Sequence, residues 1–132
     1  MLTLRKFLGD KGEKIAKKYL KKQGYKFLAK NFRAKTGEID LIFSAKGGSV
    51  FTKKDKKQNE IIFVEVKTKS NENFGWPEEE FNADKRKKMW RTVQFWLWQN
   101  KIENDNWRID LVAVDFSQNK STPEIRHYQN VF

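Results

Sequence analysis

No cysteine occurs among the 132 residues, which excludes disulfide scaffolds and thiolate metal sites and fits a reducing compartment. Histidine is almost as scarce. A single one, His127, stands near the C-terminus; two-histidine metal motifs are therefore ruled out, a Ser-His-Asp triad lacks a supported partner, and surface or edge-strand filler is the expectation. Long apolar runs are missing too. None exceeds four residues, Ile61 to Val64 being one, so no membrane-spanning helix is expected. The opening MLTLRKFLGDKGEK is basic but has no apolar core of the secretory kind. A cytoplasmic location with no membrane partner is the resulting expectation. The one glycine pair, Gly47-Gly48 before Ser49, lacks the Gly-Lys-Ser/Thr ending of a phosphate loop and reads as a turn.

Acids are rare where bases are dense. The chain carries a net charge of +11, and residues 1–35 hold twelve Lys and Arg against only Asp10 and Glu13. Such concentration suits a surface that meets a polyanion, nucleic acid above all. Anionic membrane is a weaker candidate, because the first helix lacks a broad bulky apolar face. Plain solvation by lysine is the competing explanation.

The length predicts one domain over 1–132. Helical periodicity over 10–23 gathers Ile15, Ala16, Tyr19 and Leu20, with Glu13 at the margin of that stripe and Gly24 as the stop. Strands are expected over 25–33 and 37–45. In the second, Ile39, Leu41 and Phe43 share one face and Glu38, Asp40 and Ile42 the other. Residues 46–59 read as an extended hairpin tip or mobile loop. A strand follows over 61–69, then a long helix from Pro77 to about Asn100, with Glu78, Glu79 and Glu80 in its first turn. Met89, Trp90, Val93, Trp96 and Leu97 form its wide apolar face, while Phe95 and Trp98 project elsewhere. An inner strand over 107–116 and an edge strand from Glu124 complete the order α-β-β-β-α-β-β. This is an α/β (α+β) chain with a mixed central sheet flanked by helices.

Within IIFVEVKTK, residues 61–69, a carboxylate and an ammonium interrupt a buried strand. Glu65 and Lys67 share a face with Phe63. A solvated ion pair would be worth little; a site is the sharper explanation. Asp40, mid-way along the neighbouring strand, becomes Glu65's neighbour if the two strands pair antiparallel with matching faces. Two such carboxylates with the Val66 carbonyl offer hard oxygens to a divalent cation. Lys67 would point into the same pocket, to orient or deprotonate a water or steady phosphate charge. Glu13 completes the group if the first helix packs on that sheet face. Asp110 also interrupts an apolar strand; orienting Arg108 or a loop is its expected role.

The blocks GEKIAKKYLKKQGYKFLAKNFR, GEID, FVEVKTK, FGWPEEEFNADK and WRIDLVAV, in this order, resemble those of the YraN-like bacterial proteins, a group similar to archaeal Holliday-junction resolvases. The resemblance covers roughly residues 8 to 115, and GEID with EVK between apolar runs is its most specific part. It implies the restriction-endonuclease-like fold and a PD-(D/E)xK site of Asp40, Glu65 and Lys67, with Glu13 as the first-helix glutamate; the role of Glu38 stays open. Asp40 lacks the preceding proline of the motif's name. Thr68-Lys69 stands where relatives often carry arginine, so a phosphate contact there loses its bidentate fork. The function implied is a metal-dependent endodeoxyribonuclease using Mg²⁺ or Mn²⁺, acting on DNA that is branched or otherwise structured. Phosphate contacts are expected from Lys14, Lys17, Arg33, Lys35, Lys69 and Lys85. The alternative is an adaptor that binds nucleic acid without cutting it. The over-apolar helix over 78–100 and the need to cut two strands symmetrically point to a homodimer.

Overall fold

Thr3 opens the first helix, its hydroxyl accepting the backbone N–H of Lys6 at 3.1 Å and so satisfying a donor that a helix start leaves open. Helix α1 runs Leu4–Lys22. The expected start at residue 10 is thereby corrected: Leu4, Phe7 and Leu8 already fall at helical spacing, and Gly9 weakens the helix without ending it. Gly24, at φ 96°, takes the left-handed turn that stops it. The structure, a computed structural model, describes residues 3–45, 59–70, 77–103, 106–118 and 121–132. But for Asn59, the loop expected at 46–59 lies outside them.

Five strands follow: β1 Lys26–Ala34, β2 Gly37–Ala45, β3 Glu60–Lys69, β4 Trp107–Asp115 and β5 Glu124–Tyr128, with helix α2 at Ala83–Gln99 between β3 and β4. They form one mixed sheet in the order β1-β2-β3-β4-β5. Only β3 and β4 are parallel, as α2 between them allows. The expected order α-β-β-β-α-β-β and the mixed α+β class both hold. Ala16 and Leu20 of α1 pack against Leu41, Phe43, Ile62, Val64 and Val112. Met89, Val93, Trp96 and Leu97 of α2 pack with Ile39, Ile42, Phe63 and Ile109 on the other face. With both faces covered, the middles of these two strands, Ile61 to Val64 in β3 and Leu111 to Val114 in β4, are continuously apolar. No helix among the described residues is long and apolar enough to cross a membrane.

α1 meets β3 closely at the buried Gly12, where an added Cβ would overlap Oγ1 of Thr68. Alanine there brings about 1 kcal/mol of helix propensity, but it forces a β-branched side chain off its rotamer at about 1–3 kcal/mol. Gly12→Ala is therefore expected to lower stability by about 1 kcal/mol net in urea unfolding. An unchanged midpoint would mean that Thr68 rotates freely.

The second helix begins later than its sequence suggests. Pro77–Glu80 is a 3-10 turn, and α2 starts only after Asn82, whose Oδ1 accepts the Lys85 N–H at 3.1 Å. The cause is Phe81, buried between the two pieces. Glu78 therefore does not sit in α2's first turn; it accepts from Arg126 Nε and the Tyr128 hydroxyl, each at 2.7 Å, and fastens β5. Trp90 is also corrected. It leaves the core to stack on Phe132 at 6.3 Å, and the buried Thr92 takes a place on the inner face.

Asp110 anchors a buried polar network. Its carboxylate accepts from Arg108 Nε at 2.9 Å and the Asn130 N–H at 3.0 Å, and pairs with His127 Nε2 at 2.7 Å. Burial opposes its ionisation, but the bonds from His127 and Arg108 win and hold its pKa below the usual range. His127 is thus no surface filler: its side chain is 8% exposed, wedged edge-on against Tyr19 and Tyr25. Arg108 also donates to Glu60 at 2.6 Å and to the Tyr25 hydroxyl at 2.9 Å. Tyr25→Phe removes that acceptor and is expected to cost about 1–2 kcal/mol. A thermal melt unchanged by this substitution would contradict the bond's contribution.

Candidate functional site

β2 and β3 pair from Ala45 opposite Glu60 to Leu41 opposite Val64, and there the ladder ends. Asp40 and Glu65 are the next residues on each strand. On its other side the β1–β2 ladder shifts register between Phe27 and Ala29, and between the pairs Lys30–Leu41 and Phe32–Ile39 Asn31 is left-handed at φ 52°. Ile39 and Ile42 consequently reach the α2-side core while Leu41 and Phe43 reach the α1 side. Strict alternation, which puts Ile39 with Leu41 and Phe43, is corrected by this twist. It also releases Asp40 from the pleat. Its Oδ2 accepts the Val66 N–H at 2.8 Å, so a side chain takes the role of the missing ladder carbonyl.

A cleft of about 480 Å³ opens at this point, lined by Leu4, Arg5, Leu8, Gly9 and Glu13 of α1, Glu38 and Asp40 of β2, and Glu65 to Thr68 of β3. That volume accommodates a small organic group with its charge partners. α1 packs on the Val64 and Val66 face, which alternation sets opposite Glu65 and Lys67. The condition set for Glu13 is therefore not met as stated. Glu13 nonetheless lines the same cleft, at the end of the ladder. Glu65 and Lys67 also line a second groove, on the α2 side, with Thr36, Gly37, Glu38, Phe81, Lys85, Lys88 and Met89.

Lys67 Nζ lies 3.6 Å from Glu65 Oε1, with side chains 18% and 19% exposed. A solvated surface pair does not describe them. Burial, then the charge of Asp40, pushes Glu65 up to about 8 in spite of Lys67. Asp40 rises to about 6, burial outweighing the Val66 N–H bond. Glu13 rises to about 7 through burial and then Asp40. Three carboxyls thus resist being ionised together near neutral pH, the electrostatic condition of acids short of positive charge. Among the described residues no three His, Asp or Glu are grouped to hold a metal ion. Asp40 and Glu65, which line the cleft with Val66, could offer two carboxylates and a backbone carbonyl to a Mg²⁺ that keeps several waters. Glu13 and Glu38 stand as further acids in the cleft.

The expected phosphate contacts divide. Lys85 lines the α2-side groove. Arg33 pairs with Glu38 at 3.3 Å, both well exposed, and Lys35 lies in the exposed turn after β1. Lys69 ends β3, its carbonyl accepting from the Phe116 N–H at 2.8 Å. Lys14 is exposed on α1, and Lys17 Nζ sits 3.8 Å from the Phe27 ring centroid; neither lines the cleft. Three cations were missed by sequence reasoning: Arg5 in the wall, Lys88 in the groove, and Lys30, whose charge acts on Glu13. Lys88 follows Lys85 by one helical turn and was legible; Arg5 required the true start of α1.

Residues 12–114 match the model of the uncharacterised protein family UPF0102. A UPF0102 protein of Caldanaerobacter subterraneus subsp. tengcongensis is 39% identical over 129 residues, covering 97% of this chain and 96% of its own. One of Clostridioides difficile is 39% identical over 124 residues, 94% and 95% of the two chains. One of Vibrio campbellii is 38% identical over 115 residues, 86% and 84%.

Proposed function

This chain belongs to the UPF0102 family, and from that premise and the chemistry of the cleft we propose that it is a metal-dependent endonuclease of the PD-(D/E)xK kind, hydrolysing DNA phosphodiesters. The observation that carries the reading is the convergence of Asp40, Glu65 and Lys67 from two strands on one cleft, where burial keeps the carboxyls short of positive charge. The resemblance to resolvase-like nucleases assigns roles to the same three residues. Charge supports it as well: a chain at +11 suits a polyanionic substrate.

Asp40, Glu65 and the Val66 carbonyl would hold Mg²⁺ or Mn²⁺, which when bound supplies positive charge to a phosphate oxygen and acidifies a water. Lys67, beside Glu65, orients the attacking water and faces the charge that grows on the phosphate. Water oxygen bonds to phosphorus and gives up a proton to solvent as one ester P–O bond breaks, and the leaving oxygen takes a proton from solvent. Glu13 accepts from waters in the cleft. Arg33, Lys35, Lys85 and Lys88 hold the flanking backbone.

The testing experiment is cleavage of labelled four-way junction, flap, single strand and plain duplex with Mg²⁺ or Mn²⁺. Cutting by the native chain and not by Glu65→Gln supports the enzyme. Tight binding without cutting by any form moves the reading to the adaptor. A homodimer belongs to the same proposal: Phe95 and Trp98, 40% and 74% exposed on α2, form with Phe32 an aromatic surface suited to a second copy. Sedimentation showing only monomer at high concentration would refute that part.

A further inference from the structure

The cleft and the α2-side groove, which share Glu38, Glu65 and Lys67, differ in chemistry. On the α2 side stand Lys85 and Lys88 with the Thr36 and Gly37 turn, groups suited to phosphate. On the α1 side the wall is Leu4 and Leu8, with Arg5 and Gly9. Leu4 is 57% exposed, and Phe7, one helical turn along, is 50% exposed. Apolar side chains at the rim of an acidic cleft gain nothing from a sugar-phosphate backbone, whose oxygens they would only desolvate.

Gly9 sharpens the point. Gly12, one turn further, is explained by Thr68, which leaves no room for a Cβ. A Cβ at Gly9 would meet nothing within 4 Å. Glycine inside a helix is unfavourable relative to alanine, and no described residue packs closely enough to require it here. What Gly9 does is keep the cleft wall open and the helix backbone bare between Leu8 and Glu13. A flat apolar group fits such a gap.

We propose that the α1 wall formed by Leu4, Leu8 and Gly9 receives an unstacked nucleobase, so that the substrate strand is unpaired beside the phosphate at Glu65 and Lys67. The inference rests on the nuclease reading above. In a paired duplex the bases are stacked inward and unavailable to that wall. In a flap, a junction arm or a frayed end, the nucleotide next to the scissile bond can rotate out and lay its face on leucine, as apolar wedges do elsewhere. The strand would then cross the cleft with a phosphate on the lysine side and a base on the leucine side.

The test uses flapped DNA carrying 2-aminopurine at successive positions around the junction, bound in Mg²⁺ to the full chain bearing Asp40→Asn. Asparagine keeps an oxygen for the Val66 N–H while removing the charge. One position should change its fluorescence severalfold on binding, and Gly9→Leu, which fills the gap, should abolish that change. In the otherwise native chain, Gly9→Leu and Leu4→Ser should each lower kcat/KM on the flap tenfold or more. Gly9→Ala controls for folding: it should raise the melting temperature while still slowing cleavage. Equal cutting of paired and flapped strands, or no effect of Gly9→Leu on either readout, would overturn the base pocket and leave the nuclease standing. Absence of both binding and cutting would overturn the two together.

Discussion

Glu65→Gln is expected to lower single-turnover cleavage at least about a thousandfold, and Lys67→Ala about a hundred- to a thousandfold, with DNA binding changed only a few-fold. Glutamine matches glutamate in shape, so the strand stays in place, but it brings no negative charge to a cation. The pair Glu65–Lys67 is 3.6 Å apart and largely shielded from water, where charge differences are not screened away. Lys67→Arg should rescue part of the loss of Lys67→Ala in binding, and little of it in rate, because a planar guanidinium cannot replace a compact ammonium beside an attacking water. Cleavage that survives Glu65→Gln at the native rate would place the chemistry elsewhere.

β2 was legible to the residue, 37–45 expected and Gly37–Ala45 found, because a turn precedes it and apolar residues dominate it. Local signals did less well where a distant partner decided the outcome. Pro77 does start a helical turn, but burial of Phe81 ends it and Asn82 must cap afresh. The face of Ile39 could not be read, since neither the register shift between Phe27 and Ala29 nor the left-handed Asn31 of the neighbouring strand has a signal in β2's own sequence. Asp40, Glu65 and Lys67 stood out as charges among apolar residues, whereas the burial that shifts their pKa values comes from how β2, β3 and α1 meet. Asp110 stood out in the same way. Arg108, two residues along the same strand, was foreseeable as its partner; His127 and Asn130 were not, because β5 and the residues that follow it bring them there.

In EDTA the chain is expected to lose stability as pH rises from 5 to 8.5. Glu65 is raised from 4.5 to about 8, Glu13 from 4.5 to about 7 and Asp40 from 3.8 to about 6. The folded state therefore keeps protons that the unfolded chain has already released, so stability is full below the unfolded pKa values and declines through the folded ones. Asp110, Asp115 and Glu78 are shifted downwards and act oppositely, losing stability only as the medium becomes more acidic than their ordinary range. The optimum without metal should fall near pH 5. The cleft is open and its acids repel one another, so the decline to pH 8.5 is put at about 2–4 kcal/mol, well below the sum of the separate shifts. For a chain of this size that is roughly 10 °C in melting temperature. Mg²⁺ at a hundred times its dissociation constant returns about 2.7 kcal/mol, and it should do so at pH 8 but barely at pH 5.5, because protons and the cation compete for the same oxygens. Asp40→Asn should flatten the pH profile and remove the Mg²⁺ effect together. A melting temperature in EDTA that holds or climbs between pH 5 and 8, or a Mg²⁺ gain indifferent to pH and to Asp40→Asn, would mean that these carboxyls do not form one site.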